Sequence, residues 1–309
     1  MTRSLYGHGV PPWLVVGTVP DLDFPLTVAP CSLEETAPGA ALRLRLDDRD
    51  IPVNRGTAAL LAAALLAARS IPGEAPVIWA VVAGDTGNGK GSRRVYETFG
   101  DVVGRINPRG VTFHYLLPDV DWHGRVLATA QALPHVPLLV ADAGFMYAAK
   151  MSGYAAEYDL FTPDIGELAF LADPNAPHPF YTRNFLLADE GMAEELIRRA
   201  WEAGNTARHM LVKGKTDRFV KDGVTEATVI LPDVPMLEPV GGTGDTLTGT
   251  VTALLAGGFL MKTACITAMC ANRLMGELAM PTPASSVADL LLWLPKALDL
   301  ALREKTTVD

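Results

Sequence analysis

The chain has 309 residues, 26 Lys+Arg against 35 Asp+Glu, and a formal net charge of −9. With 49% apolar and 20% charged residues it has the composition of a globular chain rather than a disordered one. The acidity speaks against a protein that coats nucleic acid or an anionic membrane, and the length buries a full core without disulfide or metal staples. The three cysteines, Cys31, Cys265 and Cys270, form neither a paired framework nor a four-ligand cluster. The start shows no charged segment followed by a continuous apolar run. The longest apolar run, ALLAAALLAA at 59–68, is about half the ~20 residues needed to span a bilayer. The expectation is a soluble, cytoplasmic protein with no nucleic-acid or membrane partner.

Taken in order, residues 1–50 offer a short strand, WLVVGTV at 13–19, then Pro-punctuated turns and the alternating ALRLRLDD at 41–48. From Asn54 the pattern settles. Residues 56–69 are Ala/Leu-rich and predict a buried helix, and APVIWAVVAGD (75–85) predicts a buried parallel strand ending in a Gly-rich loop. Strand 111–119, helix 123–133, strand 136–144 and a helix from Phe145 follow. A short strand at 158–164 runs into a helix at 165–171, and AEELIRRAWEAG closes on Gly204 ahead of strand 209–215. A hairpin turns at Lys221-Asp222-Gly223, and TLTGTVTALLAGG has helical spacing at Leu247, Val251, Leu254 and Leu255. Strand and helix alternating over some 200 residues imply a mostly parallel sheet with helices on both faces. No linker-like break interrupts the chain, so one domain is the expectation: a main domain, 51–309, with an N-terminal segment, 1–50, to which the sequence assigns no role, packed on it.

The run GGTGDTLTG, Gly241 to Gly249, carries the strongest chemical signal. Consecutive glycines before a helix let backbone N–H groups approach an anion at the positive end of the helix dipole. An acid inside such a site is a poor phosphate binder. Asp245 reads either as a helix cap or as a base that takes a proton from a hydroxyl while the amides neutralise charge on a transferring phosphoryl group. AGDTGNGKGS (83–92) imitates a P-loop, but Lys90 is followed by Gly91, so the Gly-Lys-Ser/Thr element is missing, and the glycine spacing also fails the dinucleotide fingerprint.

PVGGTGDTLTGTVTALLAGG closely resembles the final signature of the ribokinase-like superfamily, in particular of its NAD(P)H-hydrate dehydratase branch. DAG at 142–144, TPDIGE at 162–167 and LVKGK at 211–215 resemble three further segments of that branch, in its order, and the helix at 56–69 resembles its early Gly-Ala helix. The resemblance spans roughly 54–300. It implies a three-layer α/β/α sandwich with a mostly parallel central sheet. It further implies Asp245 as catalytic base, Gly242, Thr243 and Gly244 as anion hole, and Lys213 and Gly214 beside the nucleotide. Glu167 takes the acidic position that organises Mg²⁺. Asp142, Asp164, Asn54 and Asp119 fall on matched or altered segments at the substrate cleft. The departures are Asp164 and Ile165 for the branch's His-Pro, LLPDVD (116–121) for its glycine-rich Pro-Gly-Leu-Gly loop, and PVNRGT (52–57) for its early Gly-Gly-Ser.

The implied activity is dehydration of NAD(P)H hydrate at the expense of ADP or ATP with Mg²⁺, by phosphoryl transfer to the hydrate's hydroxyl. The alternative within the superfamily is an ATP-dependent kinase acting on a sugar or on the hydroxymethyl group of a vitamin precursor. The partners are an adenine nucleotide and a small-molecule or dinucleotide substrate, and the superfamily's habit of self-assembly makes a homo-oligomer an expectation too.

Overall fold

The structure, a computed structural model, describes residues 10–35, 42–176 and 190–305. Residues 1–9, part of the start that was read for a leader, lie outside them, as do residues 306–309. Along the chain, β1 (Trp13–Val19), β2 (Thr27–Glu35), β3 (Leu42–Leu46) and β4 (Arg49–Pro52) precede α1 (Thr57–Ser70). Strands and helices then alternate through β5 (Ile78–Gly84), α2 (Lys90–Ile106), β6 (Gly110–His114), α3 (Val120–Gln131), β7 (Leu138–Ala141) and α4 (Gly144–Met151). Next come β8 (Leu160–Phe161), α5 (Ile165–Leu171), α6 (Ala193–Glu202) and β9 (His209–Val212). The hairpin β10 (Asp217–Lys221) and β11 (Val224–Val229) leads to α7 (Thr243–Ala256), α8 (Met261–Ala279), α9 (Val287–Leu291) and α10 (Leu294–Lys305). The chain divides into two compact units, residues up to 26 with 81–228, and 27–80 with 229 onward. This partition cuts across the boundary read at residue 50.

In the first unit the strand order is β11-β10-β9-β8-β7-β6-β1, with the end of β5 beside β1. β1, β6, β7, β8 and β9 run parallel, and β10 turns antiparallel to β9. The parallel strands are apolar on both faces, as a sheet covered on both sides requires; Leu14, Val15, Val111, Leu139, Val140 and Phe161 are all buried. Gly110 is where two strands come closest to a large ring: a Cβ there would lie 2.4 Å from Trp13, whose Nε1 donates to Thr112 Oγ1 at 2.9 Å. α2 buries Val95, Tyr96, Phe99, Val102, Val103 and Ile106, one stripe at helical spacing. The hairpin turn holds Asp222 and Gly223 at φ 49° and 77°, the pair of positive angles that a two-residue turn requires. β6 stops at His114, short of the expected strand to 119, because Tyr115 adopts φ 48° and Asp119 already caps α3 by accepting the Trp122 N–H at 3.1 Å.

In the second unit β2, β3 and β4 form an antiparallel ribbon. Only β3 was legible in the sequence; β2 does alternate, with Ala29 and Leu33 buried and Pro30, Ser32 and Glu34 exposed, but Pro25 and Pro30 make the segment read as turns. α1 is buried all round from Thr57 to Ala68. α7 packs on it without a side chain at the crossing: a Cβ on Gly249 would meet the Leu60 carbonyl oxygen at 2.1 Å and Ala63 Cβ at 2.9 Å. α7 begins at Thr243 rather than at Thr246, so the glycine run itself supplies its first turn. Among the described residues, no helix is long and apolar enough to cross a membrane.

Candidate functional site

The second unit holds the glycine turn. Gly242, with φ 102°, is the N-cap of α7, which makes Thr243, Gly244 and Asp245 its first three helical residues. No side chain caps this end, so backbone N–H groups stand at the positive pole of a 14-residue helix. A Cβ on Gly242 would sit 3.3 Å from Arg55 Cα and from Val287, tight on top of the disfavoured φ. Asp245 Oδ2 accepts the N–H of Gly56 at 2.6 Å. Gly56 is the N-cap of α1, at φ 68° and ψ −148°, so the carboxylate lies where the N-terminal ends of two helices meet. The close α1–α7 crossing at Gly249 sets this meeting. Behind the turn, buried Thr246 donates to Asn272 Oδ1 at 2.7 Å, and Asn272 Nδ2 reaches the Thr243 carbonyl at 3.3 Å. Asn54 is exposed, two residues ahead of Gly56.

The first unit gathers charged side chains at the carboxyl ends of four adjacent parallel strands, the edge at which ligands bind in open α/β sheets. His114 ends β6, Asp142 follows β7, Asp164 and Glu167 follow β8, and Lys213 follows β9. Asp142 is 1% exposed, and its two oxygens take the Lys213 ammonium at 2.9 and 3.1 Å. His114 Nε2 lies 3.8 Å from the same carboxylate. Burial works against the Lys213 charge, but Asp142 and Glu167 together outweigh it and hold its pKa above the ordinary lysine value. Lys213 also bridges the backbone of Asp164. Asp164 and Glu167 form a capping box on α5: each backbone N–H donates to the other's carboxylate, at 2.7 and 2.8 Å. The Tyr147 hydroxyl donates to the remaining Glu167 oxygen at 3.3 Å. Burial first, then Asp164 and Asp142, lift the Glu167 carboxyl above the usual range, while Lys213 pulls it down. Gly214 is exposed, its N–H bound to Asp217 Oδ1 at 3.0 Å.

The remaining candidates have local work. Asp119 caps α3 and lies 3.6 Å from Arg93. The P-loop imitation is organised by Asp85, whose carboxylate accepts N–H groups from Gly87, Gly89 and Ser92 and the Ser92 hydroxyl. It thus fills the N-terminal end of α2 with its own anion, and these bonds overcome burial to lower the Asp85 pKa. A cavity of about 560 Å³ between α5 and α6 is lined by Asp173, Asn175, Leu196 and Arg199 and by none of the candidate residues. Reading the sequence gave no sign of Gly56, Tyr147 or Asn272 as partners of the candidates; each meets its partner only through the fold.

The fold is mixed α/β, with a largely parallel sheet and flanking helices. A profile of the carbohydrate-kinase family, described as NAD(P)H-hydrate dehydratase, matches residues 122–293. The uncharacterized protein MJ1337 of Methanocaldococcus jannaschii is 34% identical over 224 residues, 72% of this chain and 92% of that protein. The chain belongs to that family. Among solved structures, Staphylococcus aureus pyridoxal kinase matches with a TM-score of 0.54 at 14% identity, over 87% of this chain and 89% of its own. The tetrameric inhibited form of phosphofructokinase-2 from Escherichia coli matches with 0.53 at 14% identity, over 93% and 99%. At such identity these two show the shared fold.

Proposed function

We propose that the protein transfers a phosphoryl group from ADP or ATP to the hydroxyl of NAD(P)H hydrate and so dehydrates it. The observation that carries this reading is the Asp245 carboxylate in the first turn of α7, held by the Gly56 N–H among the free amides of a glycine turn. Asp245 takes the proton of the acceptor hydroxyl, whose oxygen then attacks the terminal phosphorus as the bond to the bridging oxygen breaks. The N–H groups of Gly242, Thr243 and Gly244 meet the charge that grows on the transferring oxygens. The C–O bond of that ester then breaks, releasing inorganic phosphate, a better leaving group than hydroxide, while the adjacent ring carbon gives up its proton to water and the double bond of the dihydronicotinamide is restored. Lys213, held by Asp142, and Gly214 are proposed for the nucleotide. Mg²⁺, when bound, would neutralise charge on the phosphates. Glu167 has the hard oxygens such an ion takes, and because Asp164 N–H and the Tyr147 hydroxyl occupy them, it suits contact through the ion's waters. Asp142, Asp164, Asn54 and Asp119 are proposed for the acceptor side.

A second reading, a small-molecule kinase, has its own support. The family profile leaves the residues before 122 unmatched, whereas the solved kinases match 87–93% of the chain. The S. aureus enzyme is described in complex with AMP-PCP and pyridoxal. The same Asp245 chemistry would then leave a stable phosphate ester.

The test incubates the protein with Mg²⁺, ADP or ATP and hydrated NADH, following absorbance and inorganic phosphate, beside a panel of small alcohols followed by phosphorus NMR. Regained NADH with stoichiometric phosphate supports the dehydratase. A new ester without regained NADH supports the kinase. Neither, together with no thermal shift from any nucleotide, overturns both, since a ligand of the native state must raise its midpoint.

A further inference from the structure

α4 is a short helix, yet two of its residues, Tyr147 and Lys150, reach the two ends of α5. Three positions apart, they share one face of α4. At the N-terminal end of α5 the Tyr147 hydroxyl donates to Glu167 Oε1 at 3.3 Å. At the C-terminal end the Lys150 ammonium donates to the carbonyls of Phe170 at 2.5 Å, Asp173 at 2.6 Å and Ala176 at 3.3 Å. Between the two contacts stands the Phe170 ring, edge-on to Tyr147 at 5.1 Å and under the Lys150 ammonium at 3.7 Å. Lysine is rarely buried, and Lys150 is 8% exposed. Its three N–H donors are matched by three carbonyl acceptors and a ring face, the set that a desolvated ammonium needs. These carbonyls belong to the end of α5 and the turn after it, where helix C-termini leave acceptors unsatisfied and carry partial negative charge.

We propose that α4 clamps α5 at both ends, with Lys150 and Tyr147 as positioning residues for Glu167. Lys150 is a tethered cation in a three-carbonyl cage that fixes how far α5 is drawn toward α4. Tyr147 then meets the Glu167 carboxylate from the same face, and the Asp164 capping box holds its other oxygen. A seven-residue helix has little stability of its own, so the orientation of its first turn depends on tertiary anchors of this kind. The functional consequence rests on the phosphoryl-transfer reading of Glu167; the clamp itself does not.

The experiment compares wild type with Lys150→Ala, Lys150→Met and Tyr147→Phe in the full chain. Hydrogen exchange is read along α5, and the Mg²⁺ concentration for half-maximal nucleotide turnover is read beside the nucleotide KM. Lys150→Ala is expected to speed exchange at the Phe170 end and also at the Glu167 N–H. It should raise the Mg²⁺ half-point several-fold with the nucleotide KM little changed. Added ammonium ion, which can enter the vacated cage, should restore both, and tetramethylammonium, which has no N–H, should not. Lys150→Met fills the volume without the charge and keeps the comparison if the alanine variant folds poorly. Tyr147→Phe should move the Mg²⁺ half-point and leave exchange at the Phe170 end alone. Faster exchange confined to 170–176, with the Glu167 turn and the Mg²⁺ half-point unchanged, overturns the clamp. If wild type turns over no nucleotide, the functional reading fails, and exchange at the Glu167 N–H alone decides the clamp.

Discussion

The two clusters are built from different materials. In the second unit the turn at Gly242–Gly244 presents backbone N–H groups, and its one charged side chain, Asp245, is anchored by another backbone N–H, that of Gly56. In the first unit the groups at the strand ends are side chains: Lys213 grips Asp142, with His114 beside it and Glu167 close enough to perturb Lys213. A backbone-built site costs no charge to keep in place and fails mainly when an atom is added. A site built from buried charges is stable only as a set, and fails when one member is removed. The substitutions that damage the two should therefore differ in kind.

The largest effect is expected at the one acidic side chain of the backbone-built turn. Asp245→Asn keeps the volume and an oxygen for the Gly56 N–H but removes the base. Turnover should fall by about 10²–10⁴-fold while the thermal midpoint stays near wild type. A variant with full turnover and steady-state phosphate release would leave Asp245, which does not cap α7, with a structural role only, through its bond to the Gly56 N–H.

In the charge-built cluster the loss should appear first in stability. Lys213→Met leaves the Asp142 carboxylate buried with its main partner gone, at a cost of about 3–5 kcal/mol by the behaviour of broken buried pairs. Asp142→Asn on top of it removes the stranded charge, so the double variant should recover much of that loss. Denaturant midpoints for wild type, Lys213→Met, Asp142→Asn and the double variant check this. Single and double variants of equal stability would mean that solvent already compensates Asp142.

Acid separates the units further, because the first also buries His123. Its ring bonds the Tyr158 and Ser152 hydroxyls, each at 2.8 Å, and burial pushes its pKa down to about 4. The folded value lies below the unfolded one, so the unfolded chain binds the proton first as pH falls. The neutral ring's contribution is intact above about 6.5 and lost toward pH 4, up to about 3 kcal/mol at roughly 1.4 kcal/mol per pH unit. His123→Gln should start less stable at neutral pH and show a shallower loss across that window, by urea melts at a series of pH values. Parallel slopes would place the acid sensitivity elsewhere.

What the sequence made legible follows the same division. The glycine run could be read because an anion turn is local: five consecutive residues and the helix they open contain its whole design. Asp142 and Lys213 could be placed at strand ends, but their contact spans 71 positions and no spacing announces it. Asp164 departs from its relatives' pattern and looked like a change in the substrate cleft; locally it is a helix cap, a role that any short polar acceptor fills. Lys150 left no trace, since its partners are carbonyls, which every residue has. β2 and β4 were missed for other local reasons: an exposed proline punctuates the alternation of β2 as a turn would, and β4 is four residues long with one of them buried.

Glycine-to-alanine changes give the finest version of the comparison, because they add one methyl group and no charge. At an exposed helical site the change is favourable by up to about 1 kcal/mol, through helix propensity alone. Gly104 in α2 is such a site, with nothing within 4 Å of the added Cβ, so Gly104→Ala should stabilise. Gly249 in α7 has the same propensity gain but meets the Leu60 carbonyl oxygen at 2.1 Å, and a backbone atom of a buried helix cannot rotate aside. α7 must move off α1, and the net result should be a loss of about 1–3 kcal/mol. The movement also has a direction that matters. α1 carries Gly56 and α7 carries Asp245, so separating the helices stretches the 2.6 Å bond that aims the carboxylate. Gly249→Ala should therefore lower turnover as well as the denaturant midpoint, although its Cβ lies a full helical turn from the glycine turn and touches none of the anion-hole residues. If turnover survives at full rate in a destabilised Gly249→Ala protein, the aim of Asp245 comes from contacts other than the α1–α7 crossing.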